Sequence, residues 1–229
     1  MILLGTLVNV AAVICGTLLG MCIHRISQTV QQSIMQGIGL ATVVLGMSMA
    51  ADVKRFLALI VSISVGSLIG EMLRLEQRFE RWGAKLNQRG DGEKERVAAA
   101  FVTASLLFCV GPMTLLGSLE SGLERQHHLL ITKSMLDGLT SVIFASVMGY
   151  GVVFSAIPIL IIEGGIALFA SQIHQTLSQE LLQEMMQNLS VVGGVLILAI
   201  GLNLVGLTKF RVTNMLPALV VALLFALVD

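Results

Sequence analysis

Charge is scarce in this sequence. Asp, Glu, Lys and Arg together supply 12% of its 229 residues, about half of what a soluble domain carries, which excludes a solvated globular surface. The charges also balance, 14 basic against 14 acidic. No basic surplus exists to hold nucleic acid, and no such partner is expected. Cysteine is equally sparse. Cys15, Cys22 and Cys109 lie within apolar runs, odd in number and without CxxC or Cys/His spacing. A disulfide framework and a structural zinc site are therefore not expected, and small apolar-face residues are the better reading. His24, His127, His128 and His174 have no clear third ligand nearby in sequence, so no metal is expected. Walker, GxGxxG, GxSxG and HExxH patterns are missing. The expectation is that the chain is not an enzyme and uses no cofactor.

Hydrophobic residues are what it has, at 55%, with a mean hydropathy of +0.90. Apolar runs of about 17–25 residues recur, the length that crosses a ~30 Å hydrocarbon core as helix. The short alternating segments of a transmembrane barrel do not occur. The fold class expected is all-α, a polytopic transmembrane bundle of about eight helices, seven at the least. Their expected positions are 2–23, 33–51, 56–75, 97–117, 134–152, 154–172, 189–207 and 212–228. The opening MILLGTLVNV has no basic n-region and is read as a retained first helix. One integral membrane domain, 1–229, is expected, with a first repeat at 1–75, a central hairpin at 97–152 and a second repeat at 154–229.

The repeat rests on CIHRISQTVQQSIMQG against QIHQTLSQELLQEMMQN. Ile23-His24 matches Ile173-His174. One register later, Ser27, Gln28, Gln32, Met35 and Gln36 match Ser178, Gln179, Gln183, Met186 and Gln187. The copies stand five crossings apart and so in opposite orientation, the inverted architecture of many secondary transporters. Shared membrane composition is the alternative. Sidedness follows the Lys/Arg bias. Ten of the 14 fall in connections expected inside, chiefly Arg74, Arg78, Arg81, Lys85, Arg89, Lys94 and Arg96. Both termini are then outside. Within that loop, Leu75, Phe79, Trp82 and Leu86 share one helical face, as in a helix lying on the membrane surface.

The candidate pathway residues are Glu163, Asn9, Asn203, Asp137, Lys133, Gly111 and Pro112. Glu163 lies inside ILIIEGGIAL. Facing lipid there would cost at least about 2.5 kcal/mol. An ion or proton site, with Gly164-Gly165 opening carbonyls beside it, stands against a neutral Glu bonded between helices. Asn9 and Asn203 are read as interhelical hydrogen bonders or pathway lining. Thr103, Ser105, Thr114, Thr140 and Ser141 offer further oxygens, weakly, because hydroxyls also bond their own helix. Gly111-Pro112 breaks a helix, as an ordinary kink or as a binding-site break. Asp137 is expected in the first turn of its helix with Lys133 just before it, either a cap and anchor or an outer gate. Glu71 is expected to pair with Arg74. Gly16/Gly20 and Gly66/Gly70 are small-xxx-small packing pairs.

At FCVGPMTLLGSLESGL, LLITKSMLDGLTSVIFAS and GVVFSAIPILI, with GTLVN near the start, the chain resembles the YqgA/YdfK-type bacterial inner-membrane proteins. That family is classed as a domain of unknown function. The resemblance spans the whole chain and implies a multi-pass protein of the bacterial cytoplasmic membrane. It implies no substrate. The functional expectation, from the residues, is a transporter or channel for a small solute or ion. The alternative is a non-transporting scaffold that uses the 76–96 loop. The bilayer, a small-molecule or ion substrate and a second copy of the chain are the partners considered.

Overall fold

The computed structural model describes residues 1–22, 28–78, 81 and 91–227. Its helices in order are α1 (Leu4–Cys22), α2 (Gln28–Ala50), α3 (Phe56–Leu73), α4 (Asp91–Cys109), α5 (Pro112–Leu123) and α6 (His128–Met148). A 3-10 turn (Tyr150–Ser155) leads into α7 (Ala156–Leu168) and α8 (Ala170–Thr176). Then come α9 (Gln179–Val205), α10 (Val212–Met215) and α11 (Pro217–Phe225). The described residues contain no strand. Six helices among them are long and apolar enough to cross a membrane. The pair α4–α5, bent by 59°, makes a seventh span if it crosses once. Val212–Phe225 is a shorter apolar segment in the place expected for the eighth.

The expected boundaries shift where a helix carries polar residues. α6 begins at His128 and α9 at Gln179, earlier than the apolar runs suggested, because LLITKS and QELLQEMMQ are helical without being uniformly apolar. The expected helix 97–117 is broken, and the expected 154–172 splits at Phe169. Pro158 falls in the first turn of α7, where its missing N–H costs nothing. Phe79, Trp82 and Leu86 of the expected surface helix lie outside the described residues, as do Ile23, His24 and Ser27 of the repeat match.

Packing follows membrane logic. α1 buries Gly5, Thr6, Asn9, Val13, Gly16, Thr17 and Gly20 while Leu4, Leu7, Leu18 and Leu19 are exposed. α3 buries Ala58, Ser62, Gly66 and Gly70 and exposes Phe56, Leu57, Leu68 and Met72. Small and polar groups face protein, large apolar ones face outward. This is the arrangement expected where lipid competes for apolar contact and only close approach favours association.

The chain forms two compact units, Met1–Ile26 with Arg96–Gln179, and Ser27–Glu95 with Glu180–Asp229. This grouping cuts across the expected segments 1–75, 97–152 and 154–229. In the first unit α1 runs parallel to α6. Gly5 meets Leu130, Gly16 meets Gly138 and Ser141, and Gly20 meets Val142 and Ala145. A Cβ at Gly16 would collide with the Gly138 carbonyl, so only glycine permits this approach. α7 runs antiparallel to α1, since it starts just beyond the end of α6 and its Gly164 lies near Leu3 and Thr6. In the second unit α2 and α9 are antiparallel, Gly39 packing on Gly201 and Gly46 on Gly194. α3 and α10–α11 are likewise antiparallel, through Gly66 on Ala218 and Gly70 on Asn214.

Candidate functional site

The site lies in the first unit and starts from a helix break. Pro112 has no N–H, and the carbonyl left without it, four residues back, is that of Phe108. The Thr114 hydroxyl donates to that oxygen at 3.1 Å. Gly111, extended at φ 169°, caps α5, and its carbonyl accepts the Thr114 N–H at 3.2 Å. The break is thus closed locally, and it frees α5 to turn away from α4. Ser121 on α5 then donates to the Ile2 carbonyl at 2.7 Å and sits 2.8 Å from His127 Nδ1. These bonds fix the start of α1 beside the start of α6.

Two parallel helices with adjacent N-termini bring Asn9 level with Lys133 and Asp137. Glu163 enters from α7. Asn9 Nδ2 donates to Asp137 Oδ2 at 3.0 Å and to Glu163 Oε1 at 2.8 Å. The Lys133 ammonium pairs with Asp137 Oδ2 and lies 3.2 Å from Glu163 Oε1. Asn9 and Glu163 are 0% exposed, Lys133 6% and Asp137 7%. Four side chains from three helices, distant in sequence, therefore share one buried network. The Cys109 thiol, at the end of α4 beside the break, is buried within electrostatic reach of all three charged members.

The expectation for Asp137 is corrected by the earlier start of α6. Neither Asp137 nor Lys133 lies in a first turn or at a mouth; both are buried in the helix body. Lys133 and Asp137 are i, i+4 neighbours on one face. Gly164 and Gly165 do not open the backbone. α7 continues through them, and the Gly165 carbonyl accepts the Phe169 N–H at 3.0 Å. Asn203 belongs to the second unit. There it ties the turn after α9, donating to the Phe210 carbonyl and accepting from Thr208 Oγ1 and the Phe210 N–H, each at 2.8 Å. Thr140 and Ser141 bond their own helix at Leu136 and Asp137. Glu71 pairs with Arg211 at 3.3 Å and not with the expected Arg74, which takes the left-handed conformation (φ 50°) that ends α3.

Sequence reasoning missed Thr6, one turn before Asn9 on the same buried face. Thr17, Ser134 and Ser141 return their hydroxyls to the carbonyl four residues back. Thr6 Oγ1 has no partner, and the carbonyl in that position, Ile2, is taken by Ser121. Asn9 Oδ1 and Glu163 Oε2 are also buried without partners. With both carboxylates ionised the network carries one net negative charge, in a setting where charge is expensive unless compensated. Chemically it is suited to holding one added positive charge.

The family described as "Protein of unknown function (DUF554)" matches residues 4–227. The chain is 34% identical to the uncharacterized membrane protein YdfK of Bacillus subtilis (strain 168) over 222 residues, 95% of this chain and 93% of that one. It is 32% identical to the uncharacterized protein YqgA of Escherichia coli (strain K12) over 226 residues, 96% of this chain and 94% of that one. No solved structure matches it.

Proposed function

This chain belongs to the DUF554 family of membrane proteins, and on that premise we propose that it is a transporter or channel for a small solute or ion in the bacterial inner membrane. One observation carries the reading. A Lys, an Asp, a Glu and an Asn are gathered into one network, and among the described residues no other ionisable side chain of Asp, Glu, Lys or Arg is buried. Ionisable groups within spanning helices are rare, face the bundle interior and mark ion and substrate pathways.

The helix pairing fits an inverted duplication. The helices that the repeat would relate are α1 with α7, α2 with α9 and α3 with α11. Each such pair packs antiparallel within a single unit, as copies of opposite orientation would. The reading takes the protein as a carrier and not an enzyme, with the bilayer and a second copy of the chain as its partners. Flux in proteoliposomes tests it. Glu163→Gln should abolish or alter uptake of the transported species while the protein stays monodisperse on size exclusion. Unchanged uptake by a folded Glu163→Gln protein would remove Glu163 from the mechanism.

A further inference from the structure

Asn9 and Glu163 share one hydrogen bond. A primary amide and a carboxylic acid that meet in plane form two hydrogen bonds, N–H to the acid's carbonyl oxygen and O–H to the amide oxygen. The first is present, from Asn9 Nδ2 to Glu163 Oε1 at 2.8 Å. The atoms that would make the second, Asn9 Oδ1 and Glu163 Oε2, are both buried acceptors with no donor. Reversing the amide does not help, because its other N–H is committed to Asp137 Oδ2 at 3.0 Å. Two orphaned acceptors, in residues 0% exposed, are costly, and one donor relieves both. The charge count asks for the same thing. Lys133 neutralises one carboxylate, and the second has no cation of its own.

We propose that Glu163 is a proton-binding site, its Oε2–H donating to Asn9 Oδ1, and that the proton is the ion admitted to the pathway. The second clause rests on the transport reading; the first does not. A proton arriving from solvent forms the O–H bond on Oε2. Its return to solvent breaks that bond, so charge and atoms balance without a further reactant. Loading leaves Lys133 and Asp137 as a neutral ion pair. Unloading restores the net negative charge and leaves Asn9 Oδ1 without its donor, while the Asn9 N–H bonds to Glu163 and Asp137 remain. Among the described residues, the titratable groups with an electrostatic effect between them and Glu163 are Lys133 and Asp137 from α6 and the Cys109 thiol from α4, while Glu120 lies on α5, which also packs on α7. α1 offers only the non-ionising Asn9 and Thr6. The unpartnered oxygens of Thr6, Asn9 and Glu163 would also suit a sodium ion, so the experiment separates the two.

The intact protein in lipid nanodiscs is followed by infrared difference spectroscopy between low and high pH, without and with added sodium. The same protein in proteoliposomes is followed with an entrapped pH dye. The expected result is a carboxylic-acid carbonyl band that is lost in Glu163→Gln and kept in Asp137→Asn. Asn9→Ala should move the band toward a weaker hydrogen bond, and this variant also serves if Glu163→Gln does not fold. A band kept in Glu163→Gln and lost in Asp137→Asn would overturn the assignment. So would a band that sodium abolishes at constant pH. Sodium flux with no such band overturns the proton and leaves the transport reading standing. A Glu163 band with no flux of proton or solute keeps the proton site and overturns the transport reading.

Discussion

The two units of this protein solve the same problem differently. The second, α2–α3 with α9–α11, is held by glycine set against backbone. Gly39 meets Gly201, Gly46 meets Gly194, and Gly66 meets Ala218. Its described ion pairs stay at the periphery. Arg211 reaches Glu71 and Glu76 from exposed positions, and Arg55 reaches Glu184. The first, α1 with α4–α8, uses the same close packing at Gly16 and Gly20 and yet buries Lys133, Asp137, Glu163 and Asn9 among it. Close glycine contacts join helices in both units, and among the described residues only the first buries ionisable side chains with them. The proposed function rests on those buried charges.

The sharpest way to break this comparison is to unbalance the charges. Lys133→Met leaves two carboxylates facing each other and should cost about 3–5 kcal/mol, read as a fall in the thermal midpoint in detergent. Lys133→Met with Asp137→Asn should recover most of that loss. If the single variant is as stable as the parent, the network is not a coupled buried set. The corresponding attack on the second unit is steric. Gly46→Leu drives a side chain into the Leu198 backbone and should cost about 1–3 kcal/mol, while flux per folded molecule stays unchanged. Flux that falls with stability intact would carry the functional role into that unit.

Two smaller effects sharpen the contrast. Thr114→Val removes the hydroxyl that satisfies Phe108 at the helix break and should cost about 1 kcal/mol. Thermal melts of the folded protein would register it, and an unaltered midpoint would mean that the break is satisfied otherwise. Arg211→Ala loses exposed ion pairs to Glu71 and Glu76 and should change stability by less than about 1 kcal/mol. A loss comparable to that of Lys133→Met would erase the distinction between the units' charges.

Much of the first unit was legible residue by residue. Glu163 stood out because a carboxylate in an apolar run must have a reason. Asn9, Lys133 and Asp137 carry a similar signal, but as separate features with separate roles. Nothing in the sequence joined them, since their separations exceed a hundred residues for Asn9 with Asp137 or Glu163. Hydropathy puts Lys133 and Asp137 at a helix entrance, because it starts a helix where the apolar run starts. α6 starts at His128, and its buried face accepts charge only because Asn9 and Glu163 are there to receive it. Thr6 carried no signal beyond sharing a face with Asn9. Asn203 carried the same signal as Asn9 and turned out to hold a turn together.

Composition and periodicity, by themselves, determined that this chain is a bundle of membrane-crossing helices, that its glycines are contact points, and that its few internal charges must be sheltered. Those conclusions depend on the free energy of one segment against lipid, which a segment's own residues set. Which helices would be neighbours was decided only by the tertiary structure. In lipid all apolar faces are nearly equivalent, and the partner of a small-residue stripe is chosen by fit along its whole length. That choice set α1 parallel to α6 with α7 across it, and so made one site of an amide, an ammonium and two carboxyl groups.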